Sequence, residues 1–292
     1  MSINAGSFET VSSGVLSDGL GCICREPNHL LNSHRYPSID GIELREKIAI
    51  THNLDVNRII LGCGSDETLL FAALAFCQDG DEIIHAKHGF EMYSIITKIV
   101  GATSKLIEEN TDYSIDVKAI LKQITPSTKI IYLANPNNPT GTYLSRTEIV
   151  NLLNKLPKHI IVVLDGAYAE YVIKDDYDSG FSLTEEFENI IMTRTFSKGF
   201  GAAGCRVGMT FSNPHYIENI SKFRQMYEIT GVSLKYCKFL LDNHHLVDIY
   251  CKEVVEEKKK VVSMLKNYEV IDSQCNWIHF NNQDDNKKQK KF

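Results

Sequence analysis

The chain has 292 residues, 43% apolar and 23% charged, with a formal net charge of −6. This is the make-up of a globular protein with a sizeable core, and it excludes a broad basic surface for nucleic acid. No apolar run approaches the roughly 20 residues of a membrane helix, and the opening MSINAGSFETVSSG lacks the basic and apolar regions of an export signal, so a cytoplasmic location without a membrane partner is expected.

Near the N-terminus, Cys22 and Cys24 lie close to His29 and His34, but their spacing matches no zinc pattern and no metal is expected. The eight cysteines include no CxxC pair and several sit in apolar segments, so they read as reduced core thiols. From about residue 58, short β-branched runs alternate with helical stretches, the rhythm of a parallel sheet covered by helices. Strands are predicted at 58–62, 82–86, 129–135, 160–166, 189–196 and 206–212. KIIYL and IIVVL are apolar at consecutive positions, as a strand is when both its faces are buried. Helices are predicted from Ser65 to Cys77, with Ser65 as N-cap, from Thr147 to Leu156, and through 213–267 with a break near Gly231. A strand-like NWIHF and a polar tail follow, in which Lys287, Lys288, Lys290 and Lys291 read as solvated.

Ligands collect at the carboxyl ends of strands in open α/β sheets, and four loops carry polar groups there. In LGCGSDET the free N–H groups of Ser65, Asp66 and Glu67 could hold a phosphate, although a plain tight turn reads equally well. ANPNNPTG carries two prolines that fix an extended loop and present Asn138. Asp165 ends a doubly buried strand; it is either a helix cap or a buried carboxylate that needs a cationic partner. In TRTFSKGFGAAGCRVG, small residues and hydroxyls crowd Lys198, which could act as an amine nucleophile near Arg206.

GCGSDE, HGFEMY, NPNNPTG, DGAY and TFSKGFGAAGCRVG, in this order and spacing, resemble the fold-type I pyridoxal-phosphate (PLP) aminotransferases of class I/II. SHRYPS near Tyr36 points to the histidinol-phosphate aminotransferase branch. The resemblance covers about residues 34 to 280 and implies an α/β fold: a large, mostly parallel sheet domain at 36–215, a smaller α+β domain from 1–35 and 216–280, and a tail at 281–292. It implies covalent attachment of the cofactor to Lys198, which then moves protons, and pairing of Asp165 with the pyridinium nitrogen. By the same likeness Asn138 and Tyr168 bond the phenolic oxygen, and Phe90 stacks on the ring. Ser65, Asp66, Thr195, Ser197 and Arg206 hold the phosphate, and Tyr36 reaches across a homodimer interface to a neighbour's cofactor. An amino donor and a keto or aldehyde acceptor are the implied substrates.

Three departures stand out. DGAY places Gly166 where the family has a second carboxylate; residues 1–33 show no Asn- and Pro-rich segment; and no arginine follows Arg224, so the small domain is expected to be incomplete and to lack the family's carboxylate-gripping arginine. Two alternatives therefore stay open: a PLP decarboxylase or lyase of the same fold, and a homologue that binds PLP without turnover.

Overall fold

The computed structural model describes residues 35–281. The cysteine and histidine group at 22–34, most of the N-terminal part of the expected small domain, and the lysine tail lie outside the described residues.

Seven strands form one sheet: β1 (Ile59–Gly62), β2 (Glu82–Ala86), β3 (Thr103–Ile107), β4 (Thr128–Ala134), β5 (Ile161–Asp165), β6 (Ile190–Thr195) and β7 (Gly208–Phe211). Their spatial order is β1-β7-β6-β5-β4-β2-β3. β7 runs antiparallel to both of its neighbours, and the remaining pairs are parallel. Every residue of β5 is buried. Val162 and Leu164 enter one apolar cluster while Ile161 and Val163 enter another, so the two sheet faces each carry a core. This is the physical reason for the uninterrupted apolar runs in the sequence.

Nine helices are described: α1 (Ile42–His52), α2 (Ser65–Phe76), α3 (Glu91–Ile99), α4 (Val117–Gln123), α5 (Arg146–Leu153), α6 (Phe181–Glu186), α7 (Pro214–Ser221), α8 (Gly231–Asp242) and α9 (His244–Met264). The stretch at 213–267 thus forms three helices. Asn213 caps α7 through the Tyr216 N–H, and Pro214 occupies its first turn, where a missing N–H costs nothing. Gly231 opens α8 instead of closing a helix, with the Thr230 side chain accepting from the Ser233 N–H. In NWIHF only Phe280 joins a strand: β9 (Phe280–Asn281) pairs with β8 (Glu269–Val270).

β3 was not predicted. It is an edge strand of which only Ile107 is buried, so its TSKLI sequence carries no apolar pattern. Cys237, Cys251 and Cys275 are buried and Cys63, Cys77 and Cys205 half-buried, and all six are free. No helix among the described residues is long and apolar enough to cross a membrane.

Candidate active site

The parallel strands β4, β5 and β6 end side by side, with Ala134 opposite Asp165 and Asp165 opposite Thr193. The loops leaving these ends, together with the N-terminus of α2 and the start of α3, enclose a cavity of about 150 Å³. A volume of that size admits a six-membered ring. It is lined by Ser65, Asp66, Phe90, Asn138, Asp165, Tyr168, Thr195, Ser197, Lys198 and Arg206, which the sequence singled out, and by Tyr93, which it did not.

Asp165 forms the floor. It is 5% exposed and accepts hydrogen bonds from the Tyr93 hydroxyl at 2.8 Å and the Ala167 N–H at 3.1 Å. Burial pushes its carboxyl above the usual carboxylate range, and the Tyr93 and Ala167 bonds oppose that rise. The partner expected from sequence was a cation, yet among the described residues Asp165 has no ion pair; the chain supplies a phenol. Tyr93 is fixed by a face-to-face stack on Tyr132, 4.7 Å between centroids and 3° from parallel, and by the edge-on ring of Phe90 at 5.7 Å. Burial and the neighbouring Asp165 hold the Tyr93 hydroxyl well above its ordinary pKa, so it donates across the whole working pH range. Only its position three residues after Phe90 in HGFEMY hinted at a role, and that spacing reads as helix core.

One wall is the proline-locked loop. The Asn135 side chain bonds both backbone groups of Leu144, at 2.7 and 3.0 Å, and Asn137 Nδ2 donates to the His88 carbonyl and Thr140 Oγ1, each at 3.0 Å. Asn138 is thereby carried to the cavity on a segment with no slack. The opposite wall carries Lys198, whose ammonium lies 5.4 Å from the centroid of the Tyr168 ring.

The far end is built for an anion. The N-cap of α2 is Gly64, at φ +82°, and not Ser65 as expected, so no side chain caps the helix's first N–H groups, and its first residues, Ser65 and Asp66, line the cavity. A Cβ on Gly64 would stand 2.4 Å from Arg206 Nη2, and one on Gly208 would stand 2.3 and 2.4 Å from Gly64 C and Ser65 N. Both glycines are therefore required for the guanidinium and β7 to close on the helix start. Arg206, itself left-handed at φ +53°, donates to Ser197 Oγ at 3.4 Å and to the Ala203 carbonyl at 3.3 Å, and its Nη2 lies 3.7 Å from Asp66. The Ser197 N–H donates to Thr195 Oγ1 at 3.1 Å.

Tyr36 does not enter this cavity. It is 69% exposed and stacks on Tyr227 at 4.6 Å. At Gly166, the departure in DGAY, a Cβ would press on Arg194 Cδ at 3.0 Å. Arg194 is buried and finds its carboxylate one turn later, in Glu170 at 3.3 Å, while its Nη1 donates to the Gly166 carbonyl at 3.2 Å.

Comparison with known proteins gives a consistent picture. The family model of the class I and II aminotransferases matches residues 30–288. A histidinol-phosphate aminotransferase of Ruegeria pomeroyi is 45% identical over 202 residues, which are 69% of this chain and 55% of that protein. One from Roseobacter denitrificans is 38% identical over 251 residues, 86% of this chain and 68% of that protein. The chain thus spans 55–68% of the length of these two relatives. The crystal structure of histidinol-phosphate aminotransferase from Sinorhizobium meliloti in complex with pyridoxal-5′-phosphate superposes with a TM-score of 0.80, covering 85% of this chain and 68% of that one; at 21% identity this likeness speaks for the fold alone.

Proposed function

Because the chain belongs to the class I and II aminotransferase family, we propose that it binds pyridoxal 5′-phosphate in the β4–β6 cavity and transfers an amino group between a small amino acid or amine and a keto or aldehyde acceptor. The single observation that carries the reading is the convergence of three charged groups on one ring-sized cavity: the buried Asp165 carboxylate, the Lys198 amine and the Arg206 guanidinium beside the α2 N-terminus. Gly64 and Gly208, by admitting the Arg206 guanidinium and β7 against the start of α2, bring a cation beside the helix's first residues, which suits a phosphate. A buried carboxylate with no ion pair among the described residues fits a cationic ring nitrogen, because a buried charge is costly until an opposite charge meets it.

When bound, the cofactor supplies an electron-withdrawing ring that stabilises negative charge at the substrate Cα. Lys198 Nζ would hold the cofactor covalently and, once the substrate's amine displaces it, would serve as the free base that takes up the substrate Cα proton. Asp165, oriented by Tyr93, holds the ring nitrogen's proton. Asn138 and Tyr168 would donate to the ring oxygen, and Phe90 would stack on the ring. Ser65, Asp66, Thr195, Ser197 and Arg206 would hold the phosphate by charge-assisted hydrogen bonds. The names of the relatives support a phosphorylated amine such as histidinol phosphate as amino substrate. We infer the domain division at about residue 215, and a homodimer in which the exposed Tyr36 reaches the partner's cofactor. A cytoplasmic setting is in keeping with six free cysteines among the described residues.

Visible absorbance of the purified chain with pyridoxal 5′-phosphate, before and after histidinol phosphate or a simple amino acid, tests the reading. A band that shifts with the amino donor, that Lys198→Ala abolishes, and that a keto acid restores supports transamination. An unchanged band in Lys198→Ala removes that residue from its role and the proposal with it.

A further inference from the structure

Trp277 is the chain's single tryptophan, and it stands outside the site residues named so far. It lies in the segment that follows β8, lashed across the proline-locked loop from several directions. The Trp277 indole N–H donates to the Pro139 carbonyl at 3.0 Å, and the Gln274 N–H donates to the Gly141 carbonyl at 2.7 Å. Gly141 leaves no room for a side chain, since its Cβ would meet Ser273 Oγ at 2.1 Å. From the other side, Lys258 Nζ on α9 donates to the carbonyls of Ser273 and Cys275, the latter at 2.8 Å. That ammonium is largely buried, and burial lowers its pKa, so its lost hydration is replaced by these carbonyls.

The indole itself meets Tyr168 edge to face, with centroids 4.5 Å apart and planes at 88°. Tyr168 is the ring over which Lys198 sits. Trp277 therefore touches both walls of the cavity, Tyr168 by its ring and the Asn138 loop by its N–H, without lining the cavity. Its own burial is incomplete, because it also borders a second, more apolar cavity of about 600 Å³ with Val254, Val261 and Leu265. It packs half-buried against the core cluster that contains Tyr168, and the strap at 271–277 carries it there.

We propose that Trp277 is a positioning residue for cofactor binding: through its paired contacts with Tyr168 and Pro139 it couples the order of the strap at 271–277 to the affinity of the β4–β6 cavity for pyridoxal 5′-phosphate. The inference rests on the proposed function, which names the cofactor. Coupling of this kind is reciprocal: a strap that favours cofactor binding must itself be ordered by the cofactor.

Two measurements on the full chain test it. The dissociation constant for pyridoxal 5′-phosphate, from visible absorbance, is compared among wild type, Trp277→Leu and Trp277→Phe, alongside the cofactor-free melting temperature of each. Trp277→Leu is expected to weaken binding about tenfold, as loss of one aromatic pair and one hydrogen bond implies. Trp277→Phe, which keeps a ring edge against Tyr168, should recover most of that loss. In wild type, acrylamide quenching of the single tryptophan should fall when the cofactor is added, a reading that needs no variant to fold. Unchanged affinity in Trp277→Leu, whatever its melting temperature, or unchanged quenching in wild type, overturns the coupling. Absence of a cofactor band in wild type instead sinks the proposed function itself, so the two failures are told apart.

Discussion

Replacing Tyr93 with Phe removes one hydroxyl from beneath Asp165 and leaves the stack on Tyr132 in place. Two terms set the effect. A hydrogen bond between neutral groups is worth about 1 kcal/mol, and one to a charged group about 1.5–3 kcal/mol. Burial holds the folded carboxyl above its unfolded value, so Asp165 favours folding at acid pH, and that contribution is lost as pH rises through its folded pKa. The Tyr93 bond restrains the rise, and Phe releases it. The variant should therefore trail wild type by about 1 kcal/mol where Asp165 is protonated in both states, and by about 1.5–3 kcal/mol where it is ionised. The second figure corresponds to a drop in melting temperature of roughly 3–12 °C for a chain of this size. Urea denaturation of cofactor-free protein from about pH 4 to about pH 8 measures the gap directly. A gap that stays constant or narrows as pH rises would show that the hydroxyl does not bear on the Asp165 charge, and the account of the cavity floor would fail.

At the anion end, Arg206→Gln should weaken pyridoxal 5′-phosphate binding by roughly 10- to 150-fold, the value of one lost charged hydrogen bond. Affinity for pyridoxal, which lacks the phosphate, should be unchanged, and titration of both ligands checks this. Remote from the cavity, His52 stacks on Phe181 at 4.5 Å, and burial, then Arg194 and His244, lower its pKa from 6.5 to about 4. A depressed base contributes stability that is present above its unfolded pKa and lost as pH falls through the folded one. His52→Phe should keep the ring contact and remove up to about 3 kcal/mol of acid-induced destabilisation across that interval, visible as a flatter pH dependence of the denaturation midpoint.

What was legible in the sequence follows from where each contact is made. β4 and β5 announce themselves because both faces of each are buried, so Ile130–Ala134 and Ile161–Leu164 are unbroken apolar runs. The polar residues just past those strands could be read as a site because parallel strands deliver their carboxyl ends to one edge. β3 could not be read, since an edge strand with one buried residue has no pattern to show. The antiparallel setting of β7 was equally hidden, because strand direction is decided by pairing over long separations and not by composition. The same limit explains Tyr93. Its hydroxyl meets a carboxylate 72 positions away, whereas its local spacing is that of any helix core residue. Sequence reasoning could state that a buried Asp165 must be compensated, because that follows from the cost of burying charge. The resemblance named the cofactor's ring nitrogen as the cation, but the sequence did not single out the chain's own donor, Tyr93, because that contact is made by the approach of α3 to the end of β5. A hydroxyl that donates without carrying charge leaves the carboxylate's demand for a cation unmet among the described residues. That unmet demand, more than any single motif, is what makes the cavity a place for a cationic ring.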